Sequence, residues 1–237
     1  MSELRAVLVD DEPHARAELR ALLEARGDVA VAGEASNALE ALQAIRREEP
    51  DVLFLDVDMP VVNGFELLGM LDPEHVPQVV FVTAHDAFAI RAFEENAVDY
   101  LLKPVSPERL AKAVERLRGR PRPQAAPLAA PTLTRVPCLA GRAVKLVPLA
   151  EIEFVRSGPG GVYVVTAAGE FFTELTLKVL EDRGGLLRCH KQHLVNVDRI
   201  DEIHPGEDPA ATIRTRSGHE VPVSRRFLSA VKERLGF

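Results

Sequence analysis

Over its first 118 residues the chain alternates two patterns. Unbroken apolar runs occupy 6–9, 29–32, 52–55, 79–82 and 100–102. Between them, at 15–25, 38–47, 65–71, 88–95 and 108–117, apolar residues recur at helical spacing with polar residues on the other side. A run without polar alternation suits a strand covered on both faces, as in a parallel sheet, and the stretches between suit helices laid over it. Five strand–helix pairs in series predict an α/β fold: an open, doubly wound, parallel five-stranded sheet with helices on both faces.

The pattern breaks at 119–131, GRPRPQAAPLAAP, which has four prolines and no apolar period. Such a composition gives an extended, semi-rigid connector. A proline-rich surface loop would look the same locally, but the text beyond it differs in kind. Short β-favouring runs follow at 143–147, 152–155, 162–166, 186–189, 200–204 and 212–215. SGPGG (157–161) and AAGE (167–170) have the composition of hairpin turns, and helical periodicity returns only at 175–183 and 225–235. No helix-turn-helix pattern and no zinc-ligand spacing is visible. The predicted organisation is a first domain at 1–118, a linker at 119–133 and a β-rich second domain at 134–237.

Composition narrows the class. With 237 residues, 46% of them hydrophobic, the chain can form two ordinary cores. No apolar stretch approaches the roughly 18 residues that span a bilayer. The first apolar run is too short, and its flanks too acidic, for a secretion signal. Two cysteines, Cys138 and Cys189, indicate no disulfide framework and fit a reducing compartment, so the expected location is cytoplasmic. The net charge of −7 looks wrong for a nucleic-acid binder until the chain is divided. Residues 1–118 carry 12 Lys and Arg against 23 Asp and Glu, a net of −11, whereas 119–237 carry 17 against 13, a net of +4. An acidic half repels phosphate backbones and a basic half attracts them, which points to different partners for the two. A charge of +4 is ordinary in itself, so it only permits that reading.

The first half gathers chemistry at one edge. Asp10 and Asp11 follow the first predicted strand; Asp56, with Asp58 two residues on, follows the third. The carboxyl ends of parallel strands line the ligand crevice of such a sheet. Carboxylates gathered there repel one another unless a proton or a cation intervenes, and an oxygen-only set suits Mg²⁺. Two later strands end in Thr83, a hydroxyl donor, and Lys103, an ammonium able to pair with phosphoryl charge. Pro104 after Lys103 is a position where a cis peptide costs little. Singly, each residue has an ordinary explanation as a helix cap, a solvated lysine or a strand threonine. Five of them at one sheet edge are a far more specific signal.

LVDDEP, LFLDVDMPVVNG, VTAH and DYLLKP together resemble the motifs of the response-regulator receiver family, a flavodoxin-like fold, across nearly all of residues 3–118. The resemblance implies that Asp56 is a phosphoacceptor and that Asp11, Asp56 and the backbone carbonyl of Asp58 hold Mg²⁺, with Asp10 assisting through water. It implies that Thr83 and Lys103 contact the phosphoryl group, that Tyr100 is a rotamer-switching aromatic, and that a sensor histidine kinase is the donor. Receivers commonly dimerise on phosphorylation, which here implies a homodimer through 88–95 and 108–117. Arg91, Glu94, Glu108, Arg109, Lys112 and Glu115 would supply mixed charge around apolar Ala89, Phe93, Leu110 and Val114.

GLLRCHKQHLVNVDRIDEI (185–203) and HEVPVSRRFLSAVKERL (219–235) resemble the LytTR DNA-binding domain over about residues 134–237. FTELTLKVLEDR and GMLDPEH resemble the BtsR group of these regulators in particular. LytTR domains are β-rich and insert loops into the major groove of double-stranded DNA. The resemblance therefore implies DNA contacts from SGPGG, from the turn carrying His190 and Lys191, and from 224–226 with Arg225 and Arg226. His190 is equally suited to a structural role in its turn, and His193 to packing. Two other functions remain open at this point. Asp56–Val57–Asp58 mimics the DxD of haloacid-dehalogenase phosphatases, although that fold carries it on the first strand, and the second domain could bind protein or RNA instead of DNA.

Overall fold

The computed structural model describes residues 3–72, 76–85, 97–120, 132–141, 143–206 and 210–236. The chain divides into two compact units, Met1–Pro131 and Thr132–Phe237.

In the first unit β1 (Leu4–Val9), α1 (Pro13–Arg26), β2 (Val29–Ala35), α2 (Ala38–Glu48), β3 (Val52–Leu55), α3 (Gly64–Met70), β4 (Gln78–Thr83), β5 (Asp99–Leu102) and α4 (Pro107–Gly119) follow in order. The strands form a five-stranded parallel sheet in the order β2-β1-β3-β4-β5. The helix expected at 88–95 lies outside the described residues. Strand periodicity separates the two faces. Ala6, Leu8, Phe54, Val80 and Val82 pack with Leu19 and Leu23 of α1 and with Leu110, Ala113, Val114 and Leu117 of α4. On the other face Phe81 meets Phe65 of α3 with ring centroids 4.8 Å apart. Burying a side chain such as Leu23 or Leu110 contributes about 1.5–3 kcal/mol, so this double coverage is what the unbroken apolar runs encode. Helix starts are marked as the sequence suggests: Asn37 caps through Glu40 N–H at 3.0 Å, Ser106 through Arg109 N–H at 3.2 Å, and Asn63 with Glu66 forms a reciprocal capping box.

One expectation needs correction. Leu110 and Val114, placed by sequence on a dimer-forming face, are fully buried in the unit's own core. They cannot supply apolar area to a partner. Among the described residues of this region, the exposed large apolar side chain is Leu102 on β5, which is the edge strand of the sheet.

The second unit is built from β6 (Arg135–Ala140), β7 (Ala143–Pro148), β8 (Ile152–Gly158), β9 (Gly161–Thr166), β10 (Gly169–Thr173), α5 (Leu177–Asp182), β11 (Leu187–His190), β12 (His193–Val195), β13 (Ile200–Pro205), β14 (Ala211–Thr215), β15 (Glu220–Val223) and α6 (Arg225–Leu235). Its strands make a seven-stranded sheet, β11-β12-β8-β9-β10-β6-β7, and a three-stranded one, β13-β14-β15. Phe154, Val165, Cys189, Val195, Ile213, Val221, Val223 and Val231 form the core between these sheets and α6. Four strands, β6, β10, β12 and β15, were not among the predicted runs. Two of these contain proline, Pro137 in β6 and Pro222 in β15, which sequence rules treat as a strand breaker. In β12 there are only three residues, held by pairing to β8 and β11.

A buried carboxylate ties the two sheets together. Glu153 on β8, 2% exposed, accepts from Thr215 Oγ1 at 2.6 Å, Ser217 Oγ at 2.5 Å and His219 Nδ1 at 2.8 Å. Burial pushes its pKa up, but the hydrogen bonds from Ser217, Thr215 and His219 outweigh that and hold it below the usual 4.5. Glu153→Ala should therefore destabilise this unit by about 2–3 kcal/mol at neutral pH, because three donors lose a charged acceptor. For a carboxyl whose folded pKa is depressed, the stabilisation is complete above the unfolded value and is lost as pH falls through the folded one. The gap between wild type and variant in urea unfolding should thus persist at neutral pH and close only in acid, below 4.5. A gap that closes near neutrality would overturn the assignment.

Candidate functional site

Because the sheet of the first unit is parallel, its strands all end on one edge. Val9 pairs with Leu55 and Leu55 with Phe81, so the residues that follow β1 and β3 emerge side by side with the end of β4. Asp56 N–H donates to Val9 O at 2.8 Å, Asp10 N–H to Ala35 O at 3.1 Å, and Lys103 N–H to Thr83 O at 2.9 Å, which fixes the start of each loop. Asp10, Asp11 and Asp56 present carboxylate oxygens all within 4.8 Å of one another. Lys103 Nζ sits 2.7 Å from Asp10 Oδ2 and 2.7 Å from Asp56 Oδ2. Asp58 N–H donates to Asp56 Oδ1 at 3.1 Å, and Thr83 Oγ1 lies 3.4 Å from Asp58 Oδ2. The Lys103–Pro104 peptide is cis.

The electrostatics follow from burial. Asp10, Asp56 and Thr83 are all nearly inaccessible. Burial raises the Asp10 pKa, although hydrogen bonds from Lys103 and from Glu12 N–H oppose the rise. Lys103 is held above its usual value: burial works against its charge, and the hydrogen bonds to Asp10 and Asp56 overcome it. Two of the three gathered carboxyl groups, Asp10 and Asp56, share one ammonium, which leaves a set of hard oxygen donors with negative charge in excess, and that fits a divalent cation such as Mg²⁺. Gly64 is needed at the mouth of α3, because a Cβ there would stand 2.4 Å from Asp56 O. Tyr100 is buried and its hydroxyl donates to the carbonyl of His85. His85 itself puts Nε2 3.3 Å from Asp58 Oδ2. Sequence reasoning quoted His85 within a motif but gave it no part in this cluster; its position two residues past Thr83 was the available signal.

In the second unit, three separate segments meet at one edge. The β8–β9 hairpin turns at SGPGG, where Gly161 (φ 112°) leaves no room for a side chain: a Cβ would lie 2.6 Å from the Phe172 ring. Ser157 N–H donates to Gln192 O at 2.8 Å, which ties this hairpin to the β11–β12 turn. Ser224 N–H donates to Cys189 O at 3.0 Å, which ties the start of α6 to the same turn. His190, Lys191, Arg225 and Arg226 are thereby brought to one edge, with Lys191, Arg225 and Arg226 exposed. Sequence reasoning missed Arg156 and Arg188 here. Arg156 pairs with Glu170 and lies over the Tyr163 ring at 4.6 Å. Arg188 holds Glu181 at 2.6 Å and reaches Lys191 O at 3.4 Å. Their adjacency to the two turns in sequence was the signal. Cys138 and Cys189 are free and buried, and burial pushes both thiols up to about 12, so neither is a reactive thiolate.

Both units match known protein families. A model of the response regulator receiver domain matches residues 6–115, and one of the LytTr DNA-binding domain matches residues 142–236. An uncharacterized response regulatory protein of Vibrio cholerae serotype O1 is 52% identical over 235 residues, 99% of each chain. The chain belongs to the response regulators that join a receiver to a LytTR domain. Transcriptional regulatory protein BtsR of Escherichia coli (strain K12) is 46% identical over 237 residues, 98% of this chain and 99% of that one. BtsR of Salmonella typhi matches to the same extent. This response regulator is a phosphorylation-controlled transcription regulator. Its two modules imply a histidine kinase on one side and DNA on the other. Among the described residues no helix is long and apolar enough to cross a membrane.

Proposed function

We propose that Asp56 is the phosphoacceptor of this regulator and that phosphorylation there controls the binding of promoter DNA by the second unit. The observation that carries the reading is the Lys103 ammonium held between Asp56 and Asp10 at 2.7 Å from each, with Thr83 at the same strand edge. Asp11, Asp56 and the carbonyl of Asp58 would hold Mg²⁺, with Asp10 acting through water; when bound, the ion offsets charge on the phosphoryl oxygens. The Asp56 carboxylate attacks phosphorus, the bond to the donor's leaving group breaks, and Lys103 pairs with the transferred oxygens. The product carries about −1.5 to −2 charge. Thr83 donates its hydroxyl to that group, and Tyr100, packed nearby, is the side chain whose rotamer follows. No chemistry on other substrates is assigned: the protein promotes only its own phosphorylation and dephosphorylation. The domain limits are 1–118 for the receiver, 119–133 for the linker and 134–237 for the DNA-binding domain, in a cytoplasmic protein.

On the DNA side, His190, Lys191, Arg225 and Arg226 contact the duplex. Lys191→Ala and Arg225→Ala should each weaken binding in fluorescence anisotropy, by about 1–3 kcal/mol where the contact is to a base edge. Where the contact is to phosphate, the loss should be similar for all sequences and the salt slope should fall by about one. Undiminished affinity in the double variant would overturn the assignment of this edge.

A further inference from the structure

The β11–β12 turn holds two imidazoles in an arrangement that fixes where their protons sit. His190 Nδ1 lies 3.2 Å from the main-chain nitrogen of Gln192. That nitrogen can only donate, so His190 Nδ1 is an acceptor and carries no proton. The Nδ1 of His193 lies 3.2 Å from the same atom, so His193 must be the donor across that contact. Burial first, with Arg156 adding to it, holds the His193 imidazole below its ordinary value and so favours the neutral ring, whose proton the contact with His190 places on Nδ1. Packing fixes the His193 ring as well, with Phe154 at 6.5 Å between centroids and the backbone paired to Arg156 of β8. His190 is left with its proton on Nε2. Among the described residues no hydrogen bond takes that proton, and the His190 side chain is only partly buried.

We infer that His190 reads a base: its Nε2–H donates to the major-groove edge of guanine, the Gln192 N–H fixes that tautomer, and His193 is the positioning residue that holds the ring in place. This rests on the reading of the edge as the DNA-binding surface. A neutral donor gains little from a phosphate, and the edge already offers Lys191, Arg225 and Arg226 for that purpose. A rigid donor with no acceptor of its own discriminates between purines. Guanine presents two adjacent acceptors, N7 and O6, whereas adenine sets its N6 donor beside N7, where a donor-only ring meets it unfavourably.

The test begins with duplexes selected from a random-sequence pool by the full-length protein, followed by anisotropy titrations. His190→Ala should erase a guanine preference at one position of each site and leave the other positions intact. Replacing that guanine by 7-deazaguanine should weaken wild-type binding about fivefold, as one neutral hydrogen bond allows, and should not weaken His190→Ala further. His190→Gln, which returns an amide N–H near the place of Nε2, should keep part of the preference. His193→Phe keeps the ring packing but removes the donor. It should lower the guanine preference without changing affinity for mixed-sequence DNA, and NMR of the ring nitrogens should show the His190 Nδ1 signal shifting while the Gln192 N–H keeps the proton on Nε2. Equal weakening by His190→Ala on every sequence would mean a phosphate contact and overturn the inference. An unchanged preference in His190→Ala, with Lys191→Ala and Arg225→Ala still weakening binding, would also overturn it while leaving the DNA-binding edge standing. If none of the three substitutions weakens binding, the edge is misassigned and the inference falls with it.

Discussion

Asp56→Asn should abolish phosphoryl uptake altogether. Incubated with Mg²⁺ and acetyl phosphate, the wild-type protein should gain one acid-labile phosphoryl group by intact-mass measurement. The Asp56→Asn variant should gain none, because the amide lacks the anionic oxygen that attacks phosphorus. The substitution is close in shape, and Lys103 keeps its contact with Asp10 at 2.7 Å, so the pocket should remain folded. Asp11→Ala tests the cation arm separately. Losing a direct ligand should weaken Mg²⁺-dependent labelling by at least the roughly 10- to 100-fold that disturbing an outer partner costs. Stoichiometric labelling of the Asp56→Asn variant would sink the assignment, and labelling indifferent to Asp11→Ala would remove Asp11 from the ion's ligands.

The legibility of this chain follows how local each feature is. Asp10, Asp11, Asp56, Thr83 and Lys103 could be placed together from sequence because in a parallel sheet every strand end reaches the same edge once strand order is guessed. The apolar runs were equally readable, since burial on both faces leaves no polar alternation to confuse them. The second unit yielded less. Pro137 and Pro222 disguise β6 and β15, and β12 exists only through its partners. The buried Glu153 looked like any strand residue, because the donors that neutralise it arrive from Thr215, Ser217 and His219, more than sixty positions away. Likewise, His190 and His193 face each other only through the register of the β11–β12 pairing. On the receiver's outer face, sequence periodicity marked Leu110 and Val114 as apolar but could not say which side of α4 the core would claim.

That last point shapes the coupling expected between the two units. With Leu110 and Val114 taken up by the core, a two-fold contact through β5 and α4 must be mainly polar, built from exposed Glu108, Arg109, Lys112 and Glu115 around Leu102. An isologous interface needs such self-complementary charge, and a polar one is weak enough to be switched. Asp99, buried at the start of β5, holds Arg116 at 2.9 Å and Arg109 at 3.4 Å, so the arginines of this face are already oriented along the strand that leads to Tyr100 and Lys103. Phosphorylation at Asp56 would favour the dimer only by stabilising one of two arrangements of that surface. Each protomer would then set its LytTR unit on one of two repeated half-sites, with the proline-rich 119–133 segment as tether. Tethering converts the second binding event into an intramolecular one, worth about 100-fold or more in apparent affinity. The expected result is a monomer without phosphodonor, a dimer with it, and two-site DNA bound at least about 100-fold more tightly than one-site DNA by the phosphorylated form alone. Sedimentation velocity with and without acetyl phosphate, paired with titrations on both duplexes, checks it. High salt should weaken the dimer, as its polar character requires. One monomer mass in both states, with equal affinity for the two duplexes, would refute the coupling and leave Asp56 and the DNA-binding edge untouched.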